Sequence, residues 1–90
     1  MENQKYQLAF DEAFVKDLKK LQKQQAKLII NYLKGVAQLN DAKSRGKAMR
    51  YSKVGLWRYR VGDYRIICDI QENNMLVLVL AVGHRSSIYI

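Results

Sequence analysis

The sequence has 90 residues, 49% of them hydrophobic, so its length favours one domain (1–90) with a modest core and excludes a second core. Sixteen Lys and Arg against eight Asp and Glu give a net charge of +8, which favours an anionic partner such as nucleic acid or an acidic protein. The single cysteine, Cys68, excludes an internal disulfide and a multi-cysteine zinc site, and no long apolar stretch suggests a membrane partner, so we expect a cytoplasmic protein.

The N-terminal half of the chain predicts one strand followed by two helices. Tyr6, Leu8 and Phe10 alternate with polar or small residues, as in a half-buried strand, and Asp11 is a suitable helix N-cap. Apolar residues then recur with helical spacing over a stretch that would run about 44 Å as one helix. That is too long for a domain whose expected radius of gyration is about 12 Å. We therefore predict a break near residues 22–25 and a helical hairpin, whose lysine-rich face is either solvated or a binding surface.

The C-terminal half predicts three consecutive antiparallel strands, over residues 56–61, 64–70 and 75–82. Gly62-Asp63 separates the first two, and a polar stop containing Asn73-Asn74, which tolerates positive φ, separates the last two. The third strand is apolar on both faces and is expected to lie inside the sheet.

Positive charge is concentrated just before and within the first of these strands. The segment from residue 41 to residue 60 contains a single acid, Asp41, and seven basic residues: Lys43, Arg45, Lys47, Arg50, Lys53, Arg58 and Arg60. We expect the first five of these basic residues to contact nucleic acid.

A two-residue turn at Gly62-Asp63 determines the register of the hairpin around it. Val61 then faces Tyr64, and Arg60 faces Arg65. Alternation predicts a core face and an opposite, open face that carries Arg58, Arg60 and Arg65. The predicted core residues are Trp57, Tyr59, Val61, Tyr64, Ile66 and Cys68.

The end of the third strand should return to the same end of the sheet as the Gly62-Asp63 turn. His84 and Arg85 would thereby approach Arg60 and Arg65. Like charges directly opposite each other destabilise a sheet by a few tenths to about 1 kcal/mol, so such a cluster suits a bound anion, and guanidinium groups match phosphate oxygens. The alternative is that the arginines pair with carboxylates, for which Asp63, Asp69 and Glu72 are the candidates.

The chain resembles RelE-type toxins of the RelE/ParE superfamily over essentially its whole length. The specific part of the resemblance consists of two segments: the run LWRYRVGDYRII, with Arg45-Gly46 upstream, and the ending VGHR with Tyr89. It implies an α+β fold in which an N-terminal strand and a helical hairpin pack on a small antiparallel β-sheet, with a basic cleft on the other sheet face.

The resemblance also implies an activity and partners. RelE-type toxins are ribosome-dependent endoribonucleases that cleave mRNA in the ribosomal A site, with the RNA 2′-hydroxyl as nucleophile. They are neutralised by a cognate RelB-like antitoxin, and they meet operator DNA only through the antitoxin complex. No metal or organic cofactor is implied.

Residue by residue, the resemblance implies that Arg65 and Arg85 hold the scissile phosphate. Arg58 and Arg60 match two basic positions of the family, although an arginine is almost never deprotonated and so is poorly suited to proton transfer. Tyr89 is the candidate catalytic tyrosine. His84 is the other candidate for proton transfer, because histidine as a residue type ordinarily changes charge near neutral pH, and its alternative role is structural.

Two other functions share parts of this pattern. A gyrase-poisoning toxin of the ParE branch would have the same fold without nuclease activity, and a nucleic-acid-binding module would bind without cutting. The joint presence of Arg60, Arg65, Arg85 and Tyr89 favours the nuclease.

Overall fold

The computed structural model describes residues 5–50 and 53–86, and these form two helices and a five-stranded sheet. In chain order the elements are β1 (Gln7–Phe10), α1 (Glu12–Lys19), α2 (Lys23–Ala37), β2 (Lys47–Ala48), β3 (Trp57–Val61), β4 (Tyr64–Gln71) and β5 (Leu76–His84). Short 3₁₀ turns cover residues 42–44 and 72–74. The α+β fold class is confirmed.

α1 begins as predicted, whereas α2 begins slightly earlier than predicted. Asp11 caps α1, because its Oδ2 accepts a hydrogen bond from the Ala13 amide at 3.0 Å. The break lies at residues 20–22. There the amides of Lys20 and Leu21 donate hydrogen bonds to the carbonyls three residues earlier, as in a 3₁₀ turn. Gln22 is extended, yet its carbonyl already accepts a bond from the Ala26 amide, so residues 23–25 belong to α2 and not to the break.

The sheet has the strand order β1-β5-β4-β3-β2. β3, β4 and β5 are consecutive and antiparallel, and β5 is an interior strand, as the sequence predicts. β1 pairs with β5 in parallel, so the sheet is mixed. The two short strands, β1 and β2, form its edges.

Both helices pack on one face of the sheet. The core joins Phe14 of α1 to apolar side chains of α2 and to the inward-facing residues of β3, β4 and β5. Its fully buried members include Ile29, Leu33, Val36, Tyr59, Ile66, Cys68, Val77 and Val79. Leu28 shares the helical spacing of this set but is 56% exposed, because it lies on the outer side of α2.

The β4–β5 connection differs in detail from the prediction. Residues 72–74 form a 3₁₀ turn, and the left-handed residue is Met75, with φ of 50°, rather than Asn73 or Asn74. Left-handed geometry is needed at the residue that ends such a turn, which here is the one that leads into β5. The Met75 carbonyl also accepts a hydrogen bond from the Gln7 amide, which connects the turn to β1.

One extra residue in β5 determines which side chains face which way at the end of that strand. Cys68 pairs with Val79 and Ile67 pairs with Ala81, so Leu80 has no direct partner on β4. A single inserted residue moves every later side chain to the opposite face. Val82 consequently lies in the core, and Gly83 pairs with Arg65 on the open face.

Candidate nucleic-acid interface

The open face of the sheet carries two neighbouring rows of cations. Lys47, Arg58 and Ile67 are successive cross-strand partners in the first row. Arg60, Arg65 and Gly83 form the second row, nearer the Gly62-Asp63 turn. The predicted register of this hairpin is therefore confirmed, with Gly62 at a φ of +60° in the first turn position. The rows are two strand residues apart, or roughly 7 Å.

The carboxylates considered as partners for the arginines are mostly engaged elsewhere. Glu72 pairs with Lys43 at 3.4 Å, and Asp69 accepts a hydrogen bond from the Gln71 amide nitrogen at 3.0 Å. Within the described ranges, Arg58, Arg60 and Arg65 have no carboxylate oxygen within 4.0 Å. Among the described residues, the charges of these three arginines are therefore not neutralised by an ion pair.

Arg65 shows this most clearly. Its side chain is partly buried, and its Nε is shielded from solvent without an acceptor among the described residues. A buried donor that lacks a partner costs about 1–3 kcal/mol. A phosphate oxygen would supply the missing acceptor and a compensating charge.

Arg85 lies at the end of β5 beside the turn, as predicted. Its amide donates to the Asp63 carbonyl at 2.8 Å, and its Nε lies 3.9 Å from the Asp63 Oδ1. Both side chains are more than half exposed, so this ion pair is weak and leaves the guanidinium available.

His84 does not lie with Arg60 and Arg65, contrary to the prediction from the strand order alone. It pairs with Tyr64, and the two rings meet edge to face with centroids 5.7 Å apart on the helix side of the sheet. The extra residue at Leu80 causes this, because an unbroken register would place His84 on the face of Arg65. His84 Nδ1 is also 2.8 Å from the Ser86 hydroxyl. The other proton-transfer candidate, Tyr89, lies outside the described residues.

The five residues predicted to contact nucleic acid differ in their exposure and in their contacts with the rest of the protein. Lys43 lies 5.4 Å from the centre of the Trp57 ring in addition to its ion pair. Arg45, Lys47 and Arg50 are exposed, and Lys53 is partly buried. Lys47 belongs to the first row of the open face, and the other four flank it in the chain.

Buried hydroxyl groups anchor the start of this basic segment to the core. The Tyr59 hydroxyl donates to the Ala42 carbonyl at 2.5 Å, and the Tyr6 hydroxyl accepts the Ala42 amide at 3.4 Å. Burial, followed by neighbouring Cys68, raises the pKa of Tyr59 well above its usual range. The phenol therefore remains a donor at all physiological pH values.

Gly46 holds the segment against β3, a role that no local sequence signal indicates. Its φ is +80°, and an added Cβ would lie 2.4 Å from the Arg58 carbonyl oxygen. The neighbouring Arg45 carbonyl accepts the Trp57 indole N–H at 2.6 Å. Only glycine permits both the left-handed backbone and this close approach.

The described residues form neither a cluster of metal ligands nor a helix that could span a membrane. Among the described residues, no three His, Cys, Asp or Glu side chains come together as metal ligands would. Neither α1 nor α2, within the same part of the chain, has the length and hydropathy of a membrane span.

Comparison with known proteins agrees with this architecture. The chain matches, over residues 8–89, the family model described as the ParE toxin of the type II toxin–antitoxin system parDE. It is 29% identical to Toxin RelE of Mycobacterium tuberculosis over 84 residues, which cover 93% of this chain and 86% of that protein.

Solved structures share the fold. A chain of the RelBE2 toxin–antitoxin complex of Mycobacterium tuberculosis superposes with a TM-score of 0.82 at 25% identity, covering 91% of this chain and 93% of that one. A chain of the RelB–RelE complex of Methanococcus jannaschii gives 0.68 at 27% identity, covering 90% and 94%. The isolated Escherichia coli RelE toxin gives 0.71 at 21% identity, covering 88% and 83%. The match over residues 8–89, together with this shared fold, shows that the chain belongs to the ParE toxin family of type II toxin–antitoxin systems, within the RelE/ParE superfamily.

Proposed function

We propose that this toxin is a ribosome-dependent endoribonuclease that cleaves mRNA in the A site by attack of an RNA 2′-hydroxyl on the adjacent phosphate. The observation that carries the proposal is the pair Arg60 and Arg65, directly opposite on the open face and not neutralised by any carboxylate of the described residues. Similarity to Toxin RelE supports it. The working location would be the cytoplasm, where ribosomes translate.

The chemistry requires charge stabilisation above all. The 2′-oxygen forms a bond to phosphorus while the bond from phosphorus to the 5′-oxygen breaks; one proton leaves the 2′-hydroxyl and one reaches the departing 5′-oxygen. Negative charge accumulates on the non-bridging oxygens in the transition state. Arg60, Arg65 and Arg85 would donate to those oxygens, and Arg58 would add positive charge from the neighbouring row.

Proton transfer needs a group other than these arginines, which remain protonated. His84 is on the helix side of the sheet, so it is the weaker candidate. Tyr89 remains a candidate through the family resemblance, and for this role it would need nearby cations to lower its pKa. The ribosome would supply the in-line geometry of the RNA.

The second candidate function is gyrase poisoning, and the match to the ParE toxin family of parDE favours it. We favour the nuclease over it because Arg60, Arg65 and Arg85 lie together at the turn end of the sheet. A third candidate, RNA binding without cutting, differs from the nuclease only in the absence of product. The three functions therefore separate by experiment.

The partner that we propose is a RelB-like antitoxin, since the RelBE2 and RelB–RelE structures are toxin–antitoxin complexes. It should present acidic and apolar residues, because it must cover a basic face of a chain with net charge +8. Contact with operator DNA would occur only through that complex. A neighbouring reading frame that encodes a strongly basic protein unable to bind the toxin would count against this partner.

The test is to add the purified toxin to translating ribosomes and to map the ends of the mRNA, with gyrase supercoiling assayed in parallel. We expect cuts within codons that depend on ribosomes and weaken steeply as salt is raised, because phosphate binding releases counterions. Inhibition of gyrase with intact mRNA would favour the second candidate, and ribosome binding without new ends would favour the third.

A further inference from the structure

A small cavity opens at the edge of β3, beside the rows of cations. Its volume is about 250 Å³, and its lining residues are Tyr32, Gly46, Lys47, Arg58 and Arg60. The cavity exists because β2 is only two residues long, so the described strand pairing at this edge stops opposite Arg58. The last residues of β3 thus border open space.

Three of the five lining residues are cationic, which makes the cavity suitable for an anion. Lys47 and Arg58 face each other across the β2–β3 pair, and Arg60 follows on the same face of β3. In the described part of the chain, none of the three has a carboxylate oxygen within 4.0 Å. Phosphate is the anion that such a cluster suits.

The aromatic wall distinguishes this cavity from a bare anion site. Tyr32, on α2, is partly buried and meets the Tyr59 ring edge to face with centroids 5.9 Å apart, so its ring is held in place. An oriented aromatic ring beside cations is the usual combination for binding single-stranded nucleic acid, because bases stack on the ring while the backbone follows the charge.

Size and position limit the occupant further. A volume near 250 Å³ is below the roughly 300–1,000 Å³ of most small-molecule pockets and suits part of a single nucleotide. Arg60 lines the cavity and also pairs with Arg65, so the cavity adjoins the proposed cleavage site. The two rows are separated by roughly 7 Å along the strands, a spacing close to that of consecutive phosphates in an extended strand.

We infer that this edge cavity is a second nucleotide subsite, which holds the RNA nucleotide next to the scissile phosphate: Lys47 and Arg58 bind its phosphate, and Tyr32 contacts its base. The inference rests on the proposed function for the identity of the ligand as RNA. Because a ring contact tolerates any base, the subsite would fix the path of the strand and not its sequence.

The subsite can be tested in the free toxin, without ribosomes. The probe is a 5′-phosphorylated thymidine dinucleotide, which carries two phosphates and no 2′-hydroxyl and so resists cleavage by this chemistry. Binding is followed at low salt by NMR, with the Gly46 amide and the Tyr32 ring as reporters. We expect both reporters to shift, with inorganic phosphate binding more weakly than the dinucleotide.

Matched variants separate the subsite from general charge. Lys47→Gln should weaken dinucleotide binding by about ten-fold, whereas Lys34→Gln, which removes the same charge from an exposed site on α2, should have far less effect. Tyr32→Leu should weaken binding about five-fold or more. Tyr32→Phe keeps the ring and should recover most of that loss. If Tyr32→Leu does not fold, the shift of the Gly46 amide signal and the comparison of Lys47→Gln with Lys34→Gln still test whether the cavity binds the dinucleotide.

Equal effects of Lys47→Gln and Lys34→Gln would overturn the subsite, as would unshifted Gly46 and Tyr32 signals. Inorganic phosphate that binds as tightly as the dinucleotide would reduce the cavity to an anion site and overturn the nucleotide assignment. Binding as expected together with absent ribosome-dependent cleavage would refute the proposed nuclease and leave the subsite standing. Ribosome-dependent cleavage without binding at the cavity would refute the subsite and leave the proposed nuclease standing.

Discussion

Arg60 and Arg65 are direct cross-strand partners on β3 and β4, and within the described residues neither guanidinium has a carboxylate oxygen within 4.0 Å. The folded toxin therefore retains a like-charge contact on its open face. Opposed like charges cost a few tenths to about 1 kcal/mol in a sheet. Functional sites commonly keep such a cost, because removing it removes activity.

Arg65→Gln should separate activity from stability. The change removes both the repulsion with Arg60 and a shielded Nε without an acceptor, so the free energy of unfolding should stay constant or rise slightly. Ribosome-dependent cleavage should fall by an amount equivalent to about 2.7–4 kcal/mol of transition-state stabilisation, by analogy with the loss of an oxyanion-hole donor. Denaturant titration and the cleavage assay measure the two quantities, with Lys34→Gln as the charge control. A loss of stability above about 1.5 kcal/mol would identify Arg65 as a structural residue.

Asp63→Asn should preserve both stability and cleavage. The Asp63–Arg85 ion pair spans 3.9 Å between side chains that are 64% and 57% exposed, and such pairs contribute about 0–1 kcal/mol. The Asp63 carbonyl, which accepts the Arg85 amide, is unaffected by the change. Arg85→Gln, measured beside it, should lose cleavage. A loss for Asp63→Asn as large as for Arg85→Gln would instead make the carboxylate part of the reaction.

His84→Gln should reduce cleavage less than Arg65→Gln does. The extra residue in β5 turns His84 towards Tyr64 on the helix side of the sheet, away from the arginine pair. The dependence of the cleavage rate on pH should keep its shape in this variant. If the variant lost one limb of that profile, His84 would be the proton-transfer group. Its side chain would then have to move, on the ribosome, from the helix side of the sheet to the open face.

Gly46→Ala should destabilise the toxin more than Gly55→Ala. Both glycines have positive φ, at +80° and +98°, so an alanine at either position incurs strain of about 1–3 kcal/mol. Only at Gly46 would the new Cβ also meet a backbone oxygen, that of Arg58, at 2.4 Å, whereas at Gly55 nothing lies within 4 Å. Thermal or denaturant unfolding gives the comparison. Equal losses would show that the Gly46 segment can move away from β3 at little cost.

Tyr59→Phe should cost about 1–3 kcal/mol at neutral pH, because the Ala42 carbonyl loses its buried donor. The same variant should change the response to alkali. The pKa of Tyr59 is raised in the folded state by burial, so its contribution to stability is present below pH 10, the ordinary pKa, and is lost as pH rises above it. Burial and adjacent Asp69 raise the pKa of Cys68 in the same direction.

Unfolding measured between pH 8 and about pH 11 would show the effect, since each such group contributes a slope of about 1.4 kcal/mol per pH unit. The parent toxin should lose stability more steeply above pH 10 than Tyr59→Phe does. Parallel curves would mean that the phenol ionises normally in the folded protein.

The sequence by itself determined the features that depend on neighbouring residues. A two-residue turn with glycine first allows only one local register, so Arg60 opposite Arg65 and the separation of core and open faces followed from the Gly62-Asp63 pair and strand alternation. The Asp11 cap is equally local. This hairpin motif, together with the ending VGHR and Tyr89, indicated the toxin family, which the match over residues 8–89 confirms.

Only the tertiary structure decided the relations between segments distant in the chain. Strand order predicted that His84 would reach the turn end of the sheet, but one unpaired residue, Leu80, reversed its face and brought Gly83 beside Arg65. The parallel pairing of β1, the contact of Gly46 with β3 and the position of Tyr32 at the edge cavity have no local signal either. Alternation determines faces within one strand pair, whereas a bulge or a long-range contact depends on packing that residue periodicity does not encode.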